Sequence, residues 1–402
     1  MFIGKRWKIA IIVLLAAGAL AAARPASRWW SRRRTAALTA QCRAARDDRR
    51  WEDLQRIATA WAADDAASAD ARLFLAEVAE ARHDWSTEVE HLARISETDP
   101  RVLPALMEQA KLEFGPLNRP LAGEAACLKM LSLEPRATFA HQRLVQYYAI
   151  SLQREKLVRH IRFAVEQQRE APEAYVYYLL LNTLRMRDGV ETNQQWLASD
   201  PEVEVFAVAR AMQVPEPTDE KAGMSFDARD ALRQASAGKL KLVESLLEKY
   251  PSNLELLSYK FDQYIMLGDV DRAAELLSRV PESAEFDSRF WRYKGWLHET
   301  AEELVEAESA YKKSLEIHPL DWDSWNRLAV IYRRLKNVEE VGRATGLVEK
   351  AQSLRKRIKT LPSAGEVTPE ILADLARYAR DCGAGWMADA LDRRIRQKNS
   401  TE

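Results

Sequence analysis

Apolar residues recur at steps of three and four along most of the chain, a spacing typical of amphipathic helices. Clear examples are residues 71–81, 88–95, 144–152 and 157–167. Prolines separate these segments in the amino-terminal half at intervals of 35, 37 and 29 residues, at Pro100, Pro135, Pro172 and Pro201. The pattern predicts an all-α chain built from short helices that end near each proline.

The clearest internal repeat lies between residues 254 and 351 and has a period of 34. Five columns of packing residues share one register: Leu257, Trp291 and Trp325; Phe261, Gly295 and Ala329; Tyr264, His298 and Tyr332; Ala273, Ala307 and Val341; and Leu277, Tyr311 and Thr345. A small residue lets two helices approach closely, and the aromatic residues fill the space between them. A period near 34 therefore predicts stacked helix pairs, each burying its apolar face against the next.

One unit of this repeat resembles the tetratricopeptide repeat signature, through Trp291, Gly295, Ala307, Tyr311 and Pro319. It departs from the signature at Lys294, where the family has Leu, and at His298, where it has Tyr. The next unit restores both residues, as Leu328 and Tyr332, and loses the pattern after Val341. For residues 254–351 the resemblance implies an all-α, right-handed superhelical solenoid of antiparallel helix pairs, and the rest of the chain carries the pattern in weaker form.

The breaks in the pattern predict the domain organisation. We expect degenerate repeats of this type over residues 31–214, a linker at 215–227, clear repeats over 228–361, a second linker at 362–369 and a capping helix pair over 370–398. The linkers are marked by residues that interrupt helices, namely Pro215, Pro217 and Gly223 in the first and Pro362, Gly365 and Pro369 in the second.

The amino terminus carries a membrane signal. Residues 9–23 contain no charge, and as a helix these fifteen residues would rise about 22 Å. Extension to Trp7 on one side and to Trp29 and Trp30 on the other approaches the roughly 30 Å of a hydrocarbon core. We predict one transmembrane helix within residues 1–30, contacting the membrane through residues 7–30. A cleaved secretory signal ending near Ala23 is the alternative, because small residues precede that point.

The flanking charges point in two directions. Five arginines follow the apolar run, Arg24, Arg28, Arg32, Arg33 and Arg34, so the positive-inside rule favours a cytoplasmic body. A short basic leader usually stays in the cytoplasm, which favours the opposite orientation. We expect a single-pass protein of the cell (inner) membrane with its body on the periplasmic side. A cytoplasmic-facing body, or secretion after cleavage, remains open.

The composition and motifs of the chain argue against several classes of function. Lys plus Arg and Asp plus Glu are equal at 60 each, so no net field attracts nucleic acid. The sequence has no glycine-rich phosphate loop and no G-x-S-x-G motif, its histidines lack metalloprotease spacing, and its three cysteines lie far apart. Two Ser-x-x-Lys matches, at Ser309 and Ser353, lack the companion motifs of penicillin-binding enzymes. We therefore predict no catalytic, cofactor or metal site.

The resemblance also implies where a partner would bind. In the tetratricopeptide family, residues beside the packing columns line the concave face, and carried over to this chain they are Asp262, Arg292, Trp296, Asn326, Arg333 and Arg334. Arginines and an aromatic ring together suit an extended peptide with acidic residues. Alternatively, Trp296 packs between repeats and the arginines are merely solvated.

These features predict a non-catalytic scaffold or adaptor that is anchored in a membrane and binds partner proteins or peptides, plausibly in an envelope or surface assembly system. A ligand-sensing or glycan-sensing accessory subunit of an enzyme complex is the alternative. An open groove favours the scaffold, whereas a closed pocket with several converging polar groups favours the accessory subunit.

Overall fold

The computed structural model describes residues 32–215 and 225–399, and every regular element within them is helical. The chain divides into two compact units, Met1–Leu117 and Asn118–Glu402. The first unit contains α1 (32–47), α2 (Trp51–Asp64), α3 (Ala69–Ala81), α4 (Trp85–Ala93) and α5 (Val102–Phe114). The second unit contains α6 (Pro120–Leu133), α7 (Thr138–Ile150), α8 (Arg154–Glu166), α9 (Pro172–Leu179), α10 (Gly189–Ser199), α11 (Glu204–Gln213), α12 (Phe226–Lys249), α13 (Leu254–Leu267), α14 (Val270–Leu277), α15 (Ser288–Thr300), α16 (Leu304–Ile317), α17 (Trp322–Arg334), α18 (Val338–Lys359), α19 (Pro369–Asp381) and α20 (Gly385–Asn399). Two 3₁₀ turns, Leu181–Thr183 and Glu282–Phe286, belong to the second unit.

The core of the first unit is formed by α1, α2 and α3. Cys42 from α1, Leu54 and Trp61 from α2 and Phe74 from α3 belong to one buried cluster. The rings of Trp61 and Phe74 lie 6.5 Å apart between centroids. The unit therefore buries its apolar faces between neighbours along the chain, as stacked helix pairs do.

A single turn geometry joins the two helices of each clear pair in the second unit. Gly268, Glu302 and Lys336 are 34 residues apart and all adopt left-handed backbone angles, with φ of 68°, 63° and 58°. In each turn the next residue donates its N–H to the carbonyl five residues earlier, at 2.9 Å, as Asp269 does to Tyr264. This 6→1 bond is the Schellman ending of a helix. The 34-residue period is therefore a property of the backbone as well as of the side chains.

The packing columns occupy equivalent places in successive pairs. Trp291 donates from Nε1 to the carbonyl of Glu285 at 2.9 Å, and Trp325 donates to the carbonyl of Pro319 at 2.9 Å, six residues before in both cases. A Cβ atom added at Gly295 would lie 2.7 Å from Cε1 of Tyr311, which explains the small residue in that column. The prediction of an all-α chain of helix pairs is confirmed for the described residues, whereas the right-handed superhelix stays a prediction.

The boundary between the units follows Leu117, and the expected linker at 215–227 falls inside the second unit. There α11, which precedes that stretch, contacts both α12 and α13, which follow it. The stretch expected as a linker therefore lies between helices of one unit. Its residues 216–224 lie outside the described residues.

The expected transmembrane helix lies in residues 1–30, which are outside the described residues. Among residues 32–215 and 225–399, no helix combines the length and the apolar character needed to cross a membrane.

Candidate protein-binding cleft

The second unit contains a cleft of ≈ 690 Å³ between α8 and the first turns of α13 and α15. Its volume lies within the roughly 300–1,000 Å³ of typical ligand pockets. The lining combines apolar side chains with charged ones, and the apolar members include Val158, Val205, Leu254 and Phe286. The cleft is therefore amphipathic, as a site for a peptide segment must be.

A buried network of ion pairs forms part of the lining. Arg154 of α8 bonds Glu255 of α13 through two donors, Nε to Oε1 at 2.7 Å and Nη2 to Oε2 at 3.0 Å. Arg289 of α15 reaches the same carboxylate at 2.6 Å and also bonds Asp287 at 2.6 Å. The side chains of Arg154, Glu255, Arg289 and Asp287 are 12%, 12%, 4% and 14% exposed. The network ties α8 to two helices that follow it in the chain, with Glu255 101 residues and Arg289 135 residues after Arg154.

Electrostatics keep this network charged. Burial alone would raise the pKa of Glu255, but the guanidinium groups of Arg154 and Arg289 bring it down to about 2. Burial opposes the charge on Arg289, and the carboxylates of Asp287 and Glu255 outweigh it, so its pKa lies well above the usual value. Nη1 of Arg154 is buried and has no hydrogen-bond partner in the described part of the chain. One donor of the network thus remains unused.

Local capping interactions position the carboxylates of the network. Asn253 caps α13 by accepting from the N–H groups of Glu255 and Leu256 at 3.0 and 3.2 Å. Asp287 caps α15 by accepting from the N–H of Arg289 at 3.0 Å. Both caps are of the type that satisfies the free N–H groups at a helix start. The caps therefore hold in place the first turns of α13 and α15, which carry the charged side chains of the network.

Glu255 and Arg289 belong to a column of charged residues that recurs at the spacing of the repeat. Glu255, Arg289 and Asp323 are 34 apart and alternate in sign, and each lies in the first turn of its helix. Apolar periodicity does not reveal this column, because its members are charged. Alternating charges at the repeat spacing were the available signal, because neighbours in such a column can pair.

The α8 side of the cleft is positively charged. Lys156 is paired with Glu124 at 2.8 Å, whereas Arg159 lies 3.5 Å from Glu155 with both side chains about 70% exposed. Arg162 lies over the ring of Trp386, 5.4 Å from its centroid, and no carboxylate pairs with it among the described residues. Arg159 and Arg162 therefore leave most of their positive charge facing solvent.

An exposed aromatic ring from another element completes the lining. Phe286 ends the 3₁₀ turn before α15, and 74% of it is exposed. Glu204 of α11 and Glu316 of α16 also line the cleft, and Glu204 accepts from Nδ2 of Asn253 at 2.8 Å. The cleft thus offers cations along α8, carboxylates from α11 and α16, and a solvent-facing phenyl ring.

Two arginines implied by the family resemblance already have partners. Nη1 of Arg292 lies 3.1 Å from both carboxylate oxygens of Asp321 and 3.5 Å from Asp323. Burial opposes the charge on Arg292, but the two carboxylates raise its pKa above the usual value. Arg334 forms an ion pair with Glu302. These guanidinium groups therefore stabilise contacts between repeats.

Of the other implied residues, two lie around Tyr293. Trp296 is 9% exposed and belongs to the buried cluster that includes Phe261 and Tyr293. Asp262 is exposed and accepts from the Tyr293 hydroxyl at 2.9 Å, and the dense surroundings of its carboxyl raise its pKa, with Arg292 opposing. Asn326 and Arg333 are exposed on α17. Within residues 32–215 and 225–399, no hydrogen bond or ion pair links Asn326 or Arg333 to Tyr293, Trp296 or Asp262.

Side chains of α9 and of the turn that follows it pack against residues of the clear repeats. The ring of Tyr178 lies 4.9 Å from that of His318 and 5.3 Å from that of Trp386. Just beyond α9, Asn182 donates to Oγ of Ser288 at 3.3 Å. The starts of α15 and α17 are therefore partly occupied by residues of the chain itself, and the cleft is the open surface beside them.

Sequence comparison places one segment of this region in a known family. Residues 310–342 match the tetratricopeptide repeat model. The matched segment runs from the second half of α16 through α17 into α18 and includes Tyr311, Trp325 and Tyr332. The resemblance inferred from the packing columns is thereby confirmed for this segment. No curated protein matches the chain in sequence.

Several solved structures are similar to the chain at low identity. The human IFIT1 dimer with m7Gppp-AAAA is 12% identical over 89% of this chain and 75% of that chain, with a TM-score of 0.33. The APC/C hetero-tetramer Cut9–Hcn1 is 12% identical over 89% and 78%, with a TM-score of 0.33. A tetratricopeptide repeat protein from Parabacteroides merdae is 13% identical over 62% and 93%, with a TM-score of 0.27.

Proposed function

We propose that the chain is a non-catalytic scaffold that binds partner proteins or extended peptides in the cleft beside α8. The observation that carries the proposal is that a solvent-facing phenyl ring, Phe286, and an exposed arginine without a carboxylate partner among the described residues, Arg162, line the same cleft of ≈ 690 Å³. Aromatic rings and arginines dominate the energetics of protein interfaces. Stacked helical repeats supply extended surfaces of this kind.

The acid–base properties of the network also fit a binding role. A general base works best when its pKa lies near the working pH. The carboxyl of Glu255, with a pKa of about 2, is far from that range and is fully engaged by two arginines. Its part in the proposed function is to hold the walls of the cleft in place.

Capture of partners tests this proposal. The full-length chain is crosslinked and isolated from native membranes, and the enriched proteins are compared with those of Phe286→Asp and of Val305→Asp. Both positions are exposed, at 74% and 67%, but Val305 does not line the cleft. The proposal expects partners that are lost with Phe286→Asp and retained with Val305→Asp. Partners that both variants retain, or none with the unaltered chain, would contradict it.

We also propose that residues 1–30 anchor the chain in the cell inner membrane, with the body on the periplasmic side, where it gathers proteins of an envelope or surface assembly system. The uncharged run of residues 9–23 and its flanking tryptophans support the anchor. A phosphatase reporter fused after Glu402 should be active and the chain uncut near Ala23. If only a reporter that works in the cytoplasm were active, the body would lie on the cytoplasmic side. If the chain were cut near Ala23, residues 1–23 would be a cleaved secretory signal instead of an anchor.

The unpartnered Nη1 of Arg154 favours the second candidate, a ligand-sensing or glycan-sensing accessory subunit. A small ligand with an acceptor oxygen would satisfy that donor once it displaced the atoms that bury it. A panel of soluble glycans and carboxylate ligands in a thermal-shift assay separates the two functions. A shift that Arg154→Lys abolishes would favour the sensor.

A further inference from the structure

We infer that the cleft takes an acidic, extended segment of a partner protein, whose carboxylates lie along α8 and whose apolar residues contact Phe286 and its neighbours. This inference rests on the proposed function and specifies the chemistry of the bound partner.

The available positive charge is localised on one helix. Arg154 and Arg289 are engaged by Glu255 and Asp287. Lys156 is engaged by Glu124. Arg159 remains, because its contact with Glu155 is long and both side chains of that pair are about 70% exposed. Arg162 also remains, because it is exposed and lies over the ring of Trp386 rather than beside a carboxylate of the described residues. Exposed pairs of this kind contribute only about 0.2–1 kcal/mol, so a better-placed carboxylate can replace Glu155.

The spacing of these two arginines suits an extended chain. Residues three apart on a helix have Cβ atoms about 5–6 Å apart. In an extended segment, side chains two residues apart point the same way and are separated by about 6.6 Å. Arg159 and Arg162 can therefore each meet one of two carboxylates placed at alternate positions. Arginine also binds carboxylates through two parallel hydrogen bonds, which orients each carboxylate relative to its guanidinium group.

The apolar lining fits the intervening positions. An extended segment turns its intervening side chains to the opposite side. Val158, Val205, Leu254 and Phe286 supply apolar surface within the same cleft. The structure thus favours a segment in which acidic and apolar residues alternate.

The other charges of the cleft disfavour a polyanion without apolar groups. Glu204, Glu316 and Asp287 also line it, and phosphates at the spacing of a nucleic acid strand would approach them. A basic peptide would in turn meet Arg159 and Arg162. The combination favours a short acidic segment, and an RNA strand becomes an outcome of the test.

Three labelled peptides of nine residues test the inference with the purified full-length chain. Their odd positions are all Glu, all Gln or all Lys, and their even positions are Leu or Phe in every case. Fluorescence anisotropy should show the Glu peptide binding about 2- to 30-fold more tightly than the Gln peptide, because two exposed pairs add about 0.4–2 kcal/mol. The Lys peptide should not bind, and added salt should weaken the Glu peptide.

A charge-reversal pair and a matched control identify the site. R159E/R162E should weaken the Glu peptide at least about tenfold, since reversal removes two attractions and adds two repulsions. R272E/R279E changes net charge equally at two arginines that are 67% and 70% exposed and lie outside the cleft, and it should leave the affinity unchanged. Circular dichroism and the thermal midpoint check that both double variants fold.

The outcomes distinguish failure of the inference from failure of the scaffold. Partners captured from native membranes and lost with Phe286→Asp, together with equal binding of all three peptides, would overturn the acidic segment and leave the scaffold intact. A labelled RNA decamer that binds through Arg159 and Arg162 more tightly than the Glu peptide would also overturn it. Failure to capture any cleft-dependent partner would remove the scaffold itself.

Discussion

Individual residues decide how closely the helices of a repeat approach, and Gly295 is the clearest case. Its hydrogen atom faces the ring of Tyr311, and a Cβ atom there would meet Cε1 at 2.7 Å. Since Tyr311 is fully buried, its ring has little room to move.

We predict that Gly295→Ala lowers the free energy of unfolding by about 1–3 kcal/mol, the usual cost of overpacking a core. Gly342→Ala in α18 is the control, because nothing lies within 4 Å of the added carbon. It should be stabilising by up to about 1 kcal/mol through helix propensity. Urea unfolding followed by circular dichroism measures both, and equal effects of the two substitutions would contradict the packing role.

At the same scale, one buried carboxyl predicts a pH dependence. Glu88 on α4 is 4% exposed, and Oε2 has no hydrogen-bond partner in the described part of the chain. Burial, with Glu80 and Glu108 adding to it, raises its pKa to about 7. A raised folded-state pKa contributes stability that is complete below the unfolded value near 4.5 and is lost as the pH rises through 7.

Glu88→Gln should therefore raise the free energy of unfolding by about 1–3 kcal/mol at pH 8 and change it little at pH 4. Thermal unfolding of both proteins across this pH range is the measurement. The same gain at both pH values would show that the charge of Glu88 is not the cause.

Between elements, the ion-pair network joins helices that are distant in sequence. Arg154 and Glu255 are 101 residues apart, and Arg289 adds a third helix to the same carboxylate. Removing one partner of a buried pair leaves an uncompensated charge, which costs about 3–5 kcal/mol.

Glu255→Gln should accordingly lower the free energy of unfolding by about 3 kcal/mol at pH 7. Glu275→Gln is the control, since its pair with Arg279 is exposed and contributes about 1 kcal/mol or less. The folded pKa of Glu255 is lowered, so its contribution is present above about pH 4.5 and fades as the pH falls toward 2. Similar losses for both variants would contradict the network.

At the level of helices and the contacts between them, only part of the structure could be predicted from the sequence. The helix pairs and their register were predictable, because Gly295, Tyr311 and Trp325 repeat a local pattern whose spacing alone fixes their neighbours. The packing of α9 was not, because Tyr178 and Trp386 are 208 residues apart and no periodicity links them. The cleft depends on such contacts, so its position could not be predicted from the sequence. The column of Glu255, Arg289 and Asp323 could be recognised from its 34-residue spacing.

For the whole molecule, the proposed function combines a membrane anchor in residues 1–30 with a body of helical repeats that contains the cleft beside α8. The ion-pair network joins α8 to α13 and α15, and Phe286 and Arg162 line the cleft and are the recognition groups of the proposed function. Function on this account depends on the cleft rather than on the arginines of α17 implied by the family resemblance.

Site-specific photocrosslinking in cells tests that central claim most directly. A photoreactive phenylalanine analogue replaces Phe286 in the cleft or, as the control, Val338, which is 83% exposed and outside it. The account predicts a discrete protein adduct from position 286, abolished by R159E/R162E, and none from position 338. No adduct at 286, or the same adduct from both positions, would contradict it.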